Sequence, residues 1–155
     1  AIKNNKFTKL NESYANAGAT ILNDDVGGIV NYRSGTWLGY DNDTVTITVD
    51  MVKKEKINSV LINLLQDQNS WIFMPEALFV YYFDDVRKKY LPVGKENFSH
   101  EGPGAKQCIA REITPSSPIN AQKLKLVLVP IKKIPDWHNG KGNHGWLFID
   151  EIKVY

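Results

Sequence analysis

TVTITVD, residues 44–50, is the stretch whose reading decides the fold. Val45, Ile47 and Val49 alternate with Thr44, Thr46 and Thr48. A chain of period two puts the aliphatic side chains on one face and the hydroxyls on the other, which is a half-buried β-strand. The same pattern recurs outward from it. INSVLINLLQ (57–66) sets Val60, Ile62 and Leu64 on one side. ALFVYYFDD (77–85) is apolar on both faces and rich in β-formers, as an inner strand should be. KLKLVLVP (123–130) alternates Lys with Leu before turning wholly apolar, and Pro130 ends it. GWLFIDEIKVY (145–155) reads as the last strand.

Between these runs lie turn clusters: GYDNDT, QDQNS, FDDVRKKY, HEGPGAK, TPSSPIN and HNGKGN. No apolar i, i+3, i+4, i+7 pattern lasts beyond a turn or two, although 12–24 is expected to hold a short helical turn. Strands and turn signals spaced along the whole chain predict an all-β fold, an antiparallel β-sandwich of the jelly-roll kind. The 155 residues suit one domain, placed at 13–155. Residues 1–12, AIKNNKFTKLNE, are polar and unpatterned and read as a linker or peripheral arm.

Composition removes several functions. With 43% hydrophobic and 23% charged residues the chain is an ordinary globular protein rather than a disordered one. Its net charge is +2, and the basic groups are scattered over KKEK (53–56), RKK (87–89) and IKK (131–133), so no face is committed to nucleic acid. No apolar run approaches the roughly 20 residues of a membrane span. No stretch has the charged-then-apolar pattern of a signal peptide, which by itself fixes no compartment.

Candidate chemistry is equally limited. Cys108 is the one cysteine, so no internal disulfide or CxxC zinc site exists. In an apparent strand beside Gln107 and Ile109, it reads as a small buried hydrophobe. His138 and His144 are six apart in a Gly-rich loop but lack a nearby third zinc ligand. Glycoside hydrolysis needs two carboxylates about 5–10 Å apart across a cleft. Asp84 and Asp85 share one turn, Asp24 and Asp25 another, and none has an apolar setting. Nucleophile-elbow, phosphate-loop and dinucleotide motifs are missing.

Two stretches carry more than pattern: AGATILNDDVGGIVNYRSGTWLGY (17–40) and PDWHNGKGNHGWLFIDEIKVY (135–155). With SWIFMP (70–75) between them, they resemble discoidin-like domains of the coagulation factor V/VIII type C kind. The likeness is to those appended to bacterial glycoside hydrolases, notably β-hexosaminidases. It spans about 13–155 and keeps the family's motif order, with Asp24 at its Asp and Trp37, Gly39 and Tyr40 at its aromatic turn. Asp25 stands where the family usually has Gly. The resemblance implies a galactose-binding-like jelly-roll with ligand loops gathered at one end, no chemistry of its own, and a frequent structural calcium.

Calcium takes six to eight oxygens from carboxylates and backbone carbonyls. LNDDVGG (22–28) offers both, so the expected ligands are Asp24 and, from the last strand, Glu151; a solvated surface turn is the alternative. Asp150 and Glu151 are neighbours in a strand, so alternation lets only one of them face the ion. Trp37, Tyr40, Phe73 and Trp146 read as core. Trp71 and Trp137 have polar flanks, and an exposed indole can stack on the apolar face of a pyranose. Trp71 is taken as the carbohydrate platform. His138, Asn139, Lys141 and Arg33 are taken as its hydroxyl partners. The 138–144 loop read as a plain polar hairpin, and Arg33 read as one end of a surface salt bridge, remain open beside this.

The leading reading is a monomeric, non-catalytic carbohydrate-binding module of a bacterial, extracytoplasmic glycoside hydrolase of hexosaminidase type. Its partners would be a glycan and the catalytic domain of the same parent chain, with neither nucleic acid nor a membrane span. The rival is a structural or protein-interaction sandwich that braces a catalytic domain without a sugar site. An independent small hydrolase comes third.

Overall fold

Val45, Ile47 and Val49 are fully buried, together with Met51, on strand β3 (Val45–Ile57). A computed structural model of the chain describes residues 2–7, 30–34, 37–41 and 43–155. Asp24, Asp25 and the segment read as a helical turn lie outside the described residues. Among those described, the strands are β1 (Ile2–Phe7), β2 (Leu38–Asp41), β3, β4 (Val60–Gln66), β5 (Ala77–Asp84), β6 (Lys89–Asn97), β7 (Gln107–Ile113), β8 (Ile119–Val129) and β9 (Trp146–Val154). They form two antiparallel sheets, one in the order β1-β3-β8-β5-β6 and one in the order β2-β9-β4-β7. This is the expected all-β sandwich. None of the helical segments described is long and apolar enough to cross a membrane.

The core lies between the sheets and follows from the alternation. Leu124, Leu126 and Leu128 of β8 and Leu78 and Val80 of β5 meet Ile62 and Leu64 of β4 and Leu147, Ile149 and Ile152 of β9. Each fully buried aliphatic side chain contributes about 1.5–3 kcal/mol, so this interior dominates stability. β5 is an inner strand, between β8 and β6. A second cluster covers the outer face of the four-stranded sheet: Trp37, Leu65, Ile72 and Phe148, with Tyr32, Cys108 and Trp146 against them. Period-two reading of β4 foresees Leu64 inside but not Leu65, which is buried on the opposite side.

Three features depart from simple alternation. Residues 2–7, within the expected arm, add to the sheet edge as β1 and pair with β3. β6 carries Pro92 and Gly94 and shifts register against β5 between Val80 and Tyr81, an edge-strand pattern that hides its period. β9 shifts register too: Ile62 pairs with Ile152 while Leu64 pairs with Ile149, so β9 carries one extra residue there. Strict alternation therefore fails at Asp150–Glu151, and the two are both buried, at 0% and 4% exposure. Apolar clusters cover both faces of this sheet, so each carboxylate is buried whichever side it takes.

Candidate functional site

The site starts at the turn after β4. Asp67 and Ile72 exchange backbone hydrogen bonds, each 3.0 Å, across a 3-10 turn at Gln68–Ser70. Ile72 also bridges to Trp146 at the start of β9. The chain between is closed into a knuckle, and Trp71 at its end sits at φ 63°, in the left-handed region. For an L-residue that conformation costs roughly 1–2 kcal/mol. Trp71 N–H donates to Gln68 O at 3.0 Å and Trp71 O accepts from Trp146 N–H at 2.7 Å, which offsets it. The result is an indole 37% exposed, whereas Trp37 is buried and Trp137 and Trp146 half-buried. Backbone strain that holds an aromatic at the surface points toward a functional site.

The 134–143 loop is folded upon its own backbone. Ile134 N–H donates to Asn143 O at 2.7 Å, Gly142 N–H to Ile134 O at 3.1 Å and Lys141 N–H to His138 O at 3.1 Å. Gly142, at φ 82°, makes the reversal that a side chain would strain. His138 ties this loop to the knuckle. Its Nε2 lies 2.8 Å from Gln68 O, a pure acceptor, so Nε2 carries the proton. Its Nδ1 accepts from Gly140 N–H at 2.9 Å. Gly140 then lies flat on Trp71: a Cβ there would come 2.9 Å from Trp71 Cε2.

A third turn completes the arrangement. Gln66 Nε2 donates to Ala105 O at 2.8 Å, and Gly104 N–H donates to Gln68 Oε1 at 2.9 Å. A Cβ on Gly104 would meet the Gln66 amide, which would have to move and give up its bond to Ala105 O. Turns 67–69, 103–106 and 137–139 enclose a half-open cleft of about 310 Å³. Within it the carboxylate of Asp67, 4% exposed, faces Lys106 Nζ at 3.6 Å. Trp137 lines one wall, its indole N–H donating to His100 O at 2.7 Å.

The residues singled out in the sequence thus fall into different places. Trp71 and the 138–141 turn do come together. His138 and Asn139 face the cleft, Gly140 separates them from Trp71, and Lys141 is exposed at the loop. Both ring nitrogens of His138 are engaged with backbone, so its role is to position the turn. Arg33 stands on Tyr32, with Nε donating to the phenol at 3.0 Å and the guanidinium 5.3 Å above the ring. Tyr32 packs edge-on against Phe148, which places Arg33 over the outer-face cluster that holds Ile72 and Trp146, outside the cleft. His144 Nε2 meets Asp41 Oδ1 at 2.5 Å and ties the loop to β2. Glu151 is buried in β9, away from these turns in sequence and beside Asp150. Asp24, its expected partner, lies outside the described residues.

Asp67, Asn69, Gly104 and Lys106 are residues that sequence reasoning missed. QDQNS and HEGPGAK do read as turns, yet nothing local says that they converge. The other acids have structural partners: Asp84 Oδ1 accepts from the N–H groups of Val86 and Arg87 at 2.9 and 2.7 Å, and Asp85 pairs with Lys54 at 3.1 Å. Cys108 is half-buried, and burial followed by the charge of Asp150 pushes its thiol up, away from the reactive thiolate.

No family model and no curated protein matches the sequence. Solved structures do. The family 32 carbohydrate-binding module of C. perfringens NanJ, solved with galactose, is 17% identical over 97% of this chain and 91% of that one, with a TM-score of 0.62. The family 32 module of Streptococcus pneumoniae EndoD is 14% identical over 100% of this chain and 94% of that one, with a TM-score of 0.61. A Ruminococcus gnavus GH29 fucosidase, solved with fucose, matches over 97% of this chain but 24% of its own length, at 16% identity and a TM-score of 0.59. The sandwich therefore shares its fold with these family 32 modules, and it is the jelly-roll fold that the resemblance in the sequence implies.

Proposed function

We propose that this chain is a non-catalytic carbohydrate-binding module that offers Trp71 to a sugar ring. The observation that carries the reading is the exposed indole, held in a left-handed backbone conformation and backed by Gly140. Lys141, exposed on the loop that backs the indole, would supply a charged donor beside it. Asn139, on the cleft side of Gly140, and Arg33, over Tyr32, would meet more distant hydroxyls of the glycan. Modules of the same fold named above bind galactose or form part of a fucosidase, which supports a glycan ligand and a glycoside-hydrolase parent. The parent we favour is a bacterial, extracytoplasmic enzyme of hexosaminidase type, with this domain acting as a monomer.

The platform is open, so few of its hydrogen bonds are fully desolvated and each is worth about 1 kcal/mol. Affinity on the order of 0.1–1 mM is expected, useful when tethering supplies the effective concentration. The test is an NMR titration with galactose and N-acetylhexosamines. Shifts centred on Trp71, abolished in Trp71→Ala, support the reading. Absence of shifts at tens of millimolar leaves the domain a structural brace.

The structural calcium is part of the same proposal. Glu151, 4% exposed on β9, is the described member of the ligand pair that the resemblance in the sequence implies. Among the described residues no group of three or more His, Cys, Asp or Glu could hold a metal, so the remaining oxygens would come from the loop of Asp24. Glu151 and Asp24, with backbone carbonyls, would hold the ion, which would brace the early loop against the last strand.

A further inference from the structure

We propose that the cleft between turns 67–69, 103–106 and 137–139 is a second sugar subsite, so that the module recognises an oligosaccharide rather than a single ring. This rests on the reading of Trp71 as a sugar platform. The cleft differs from that platform in position and in chemistry. Trp71 is not among its lining residues, and Gly140, packed on the indole, follows directly after Asn139, which is. The two places are thus neighbours, separated by the single residue Gly140, within reach of consecutive rings of one glycan.

The chemistry of the cleft selects a neutral polyol. Its one carboxylate, Asp67, is compensated by Lys106 at 3.6 Å, so neither an anion nor a cation meets an unbalanced charge. What remains for a ligand is amide. The side chains of Asn69 and Asn139 are exposed and form no hydrogen bond or ion pair with another described residue. Each amide presents donors and an acceptor, which suits hydroxyl groups that both give and accept. Trp137 adds an apolar wall to which the CH groups of a ring can turn. A volume of about 310 Å³ is at the small end of the range for small-molecule sites, roughly 300–1,000 Å³. One ring fits such a space better than several.

The cleft is also built rather than incidental. Gln66, Gln68 and His138 each bond to backbone across it or beside it, so all three walls are fixed before a ligand arrives. A pre-formed site avoids the ordering penalty that weakens binding to mobile loops.

The experiment compares N-acetyllactosamine with galactose and N-acetylglucosamine alone, by calorimetry and amide shifts on the whole chain. The disaccharide is expected to bind about thirtyfold tighter than either monosaccharide, since two added hydrogen bonds of ordinary net strength give that factor. Its shifts should cover Asn69, Gly104 and Asn139 as well as Trp71. Asn69→Ala and Asn139→Ala, both at exposed positions, should reduce the disaccharide advantage to threefold or less, while Trp71→Ala weakens both classes of ligand. Equal affinity for mono- and disaccharide, with shifts confined to Trp71, overturns the second subsite and leaves the platform standing. No shifts with any sugar overturn both.

Discussion

His138 Nε2 donates to the carbonyl oxygen of Gln68 at 2.8 Å, across seventy residues of sequence. With Nδ1 accepting from Gly140 N–H, a single imidazole joins the knuckle that carries Trp71 to the loop that backs it. Sequence reasoning gives His138 to the sugar. The structure gives it to the scaffold.

The first prediction follows from that bond. His138 should be the neutral tautomer with the proton on Nε2 and Nδ1 bare, which long-range proton–nitrogen NMR reads directly. Replacing it with alanine leaves Gln68 O and Gly140 N–H to less favourable partners, so His138→Ala should destabilise the chain by about 1–3 kcal/mol. A variant with unchanged melting temperature would show that the ring is not a structural tie.

Gly140 and Gly142 should fail for different reasons. In Gly140→Ala the new methyl would lie 2.9 Å from Trp71 Cε2, so the indole has to move and sugar binding should weaken at least tenfold. Gly142→Ala meets open space but sits at φ 82°, so it should cost about 1 kcal/mol in stability and leave the Trp71 shifts in place. Parallel melts and titrations separate the two. Equal effects on binding would sink the argument that Gly140 shapes the platform.

What the sequence discloses follows from what alternation can encode. TVTITVD and KLKLVLV carry a period of two because one face meets the core, ALFVYYF is marked by its run of β-formers, and the sandwich is legible from them. β6 is not, since Pro92, Gly94 and a register shift break its period. Neither is Leu65, buried under a second cluster on the far side of its sheet. Trp71 is legible as a polar-flanked tryptophan. The cleft is not, because Asp67 and Lys106, or Gln68 and Gly104, meet through tertiary contacts that leave no local trace.

Tyr40 gives a prediction about the core. It is buried between the sheets, burial pushes its phenol well above the usual range, and its hydroxyl has no hydrogen-bond partner among the described residues. Removing an unsatisfied buried polar atom without changing the ring should help. Tyr40→Phe should stabilise by about 1 kcal/mol, a rise of roughly 2–4 °C in melting temperature. A fall of that size would mean that the hydroxyl does have a partner.

Asp84 sets the behaviour in acid. The Arg87 backbone N–H holds its carboxyl below the usual range, aided by the Arg87 side chain and Val86 N–H. A folded pKa below the unfolded one means that the unfolded state binds the proton more readily. The contribution is therefore complete above the unfolded carboxylate value, near 4, and is lost as pH falls through the folded value. Asp84→Asn keeps an oxygen acceptor for the turn but cannot titrate. Its stability should decline less between pH 5 and pH 2 than that of the parent chain. Parallel acid profiles would remove Asp84 from the account.

Calcium gives the last prediction, and its logic is linkage. An ion held by Glu151, Asp24 and backbone carbonyls binds the folded chain and not the unfolded one, so it must raise stability by mass action. At a free concentration one hundred times its dissociation constant the gain is about 2.7 kcal/mol. For a chain of this size that is a rise of roughly 5–10 °C in melting temperature. Magnesium, which demands tighter octahedral geometry, should do less. Glu151→Gln keeps the shape of the side chain but removes its charge, and should abolish most of the calcium response. The readout is a melt with chelator, with calcium and with magnesium, on both proteins. If chelator and calcium leave the melting temperature of the parent chain unchanged, Asp150 and Glu151 are neutralised within the protein and the ion has no part in the fold.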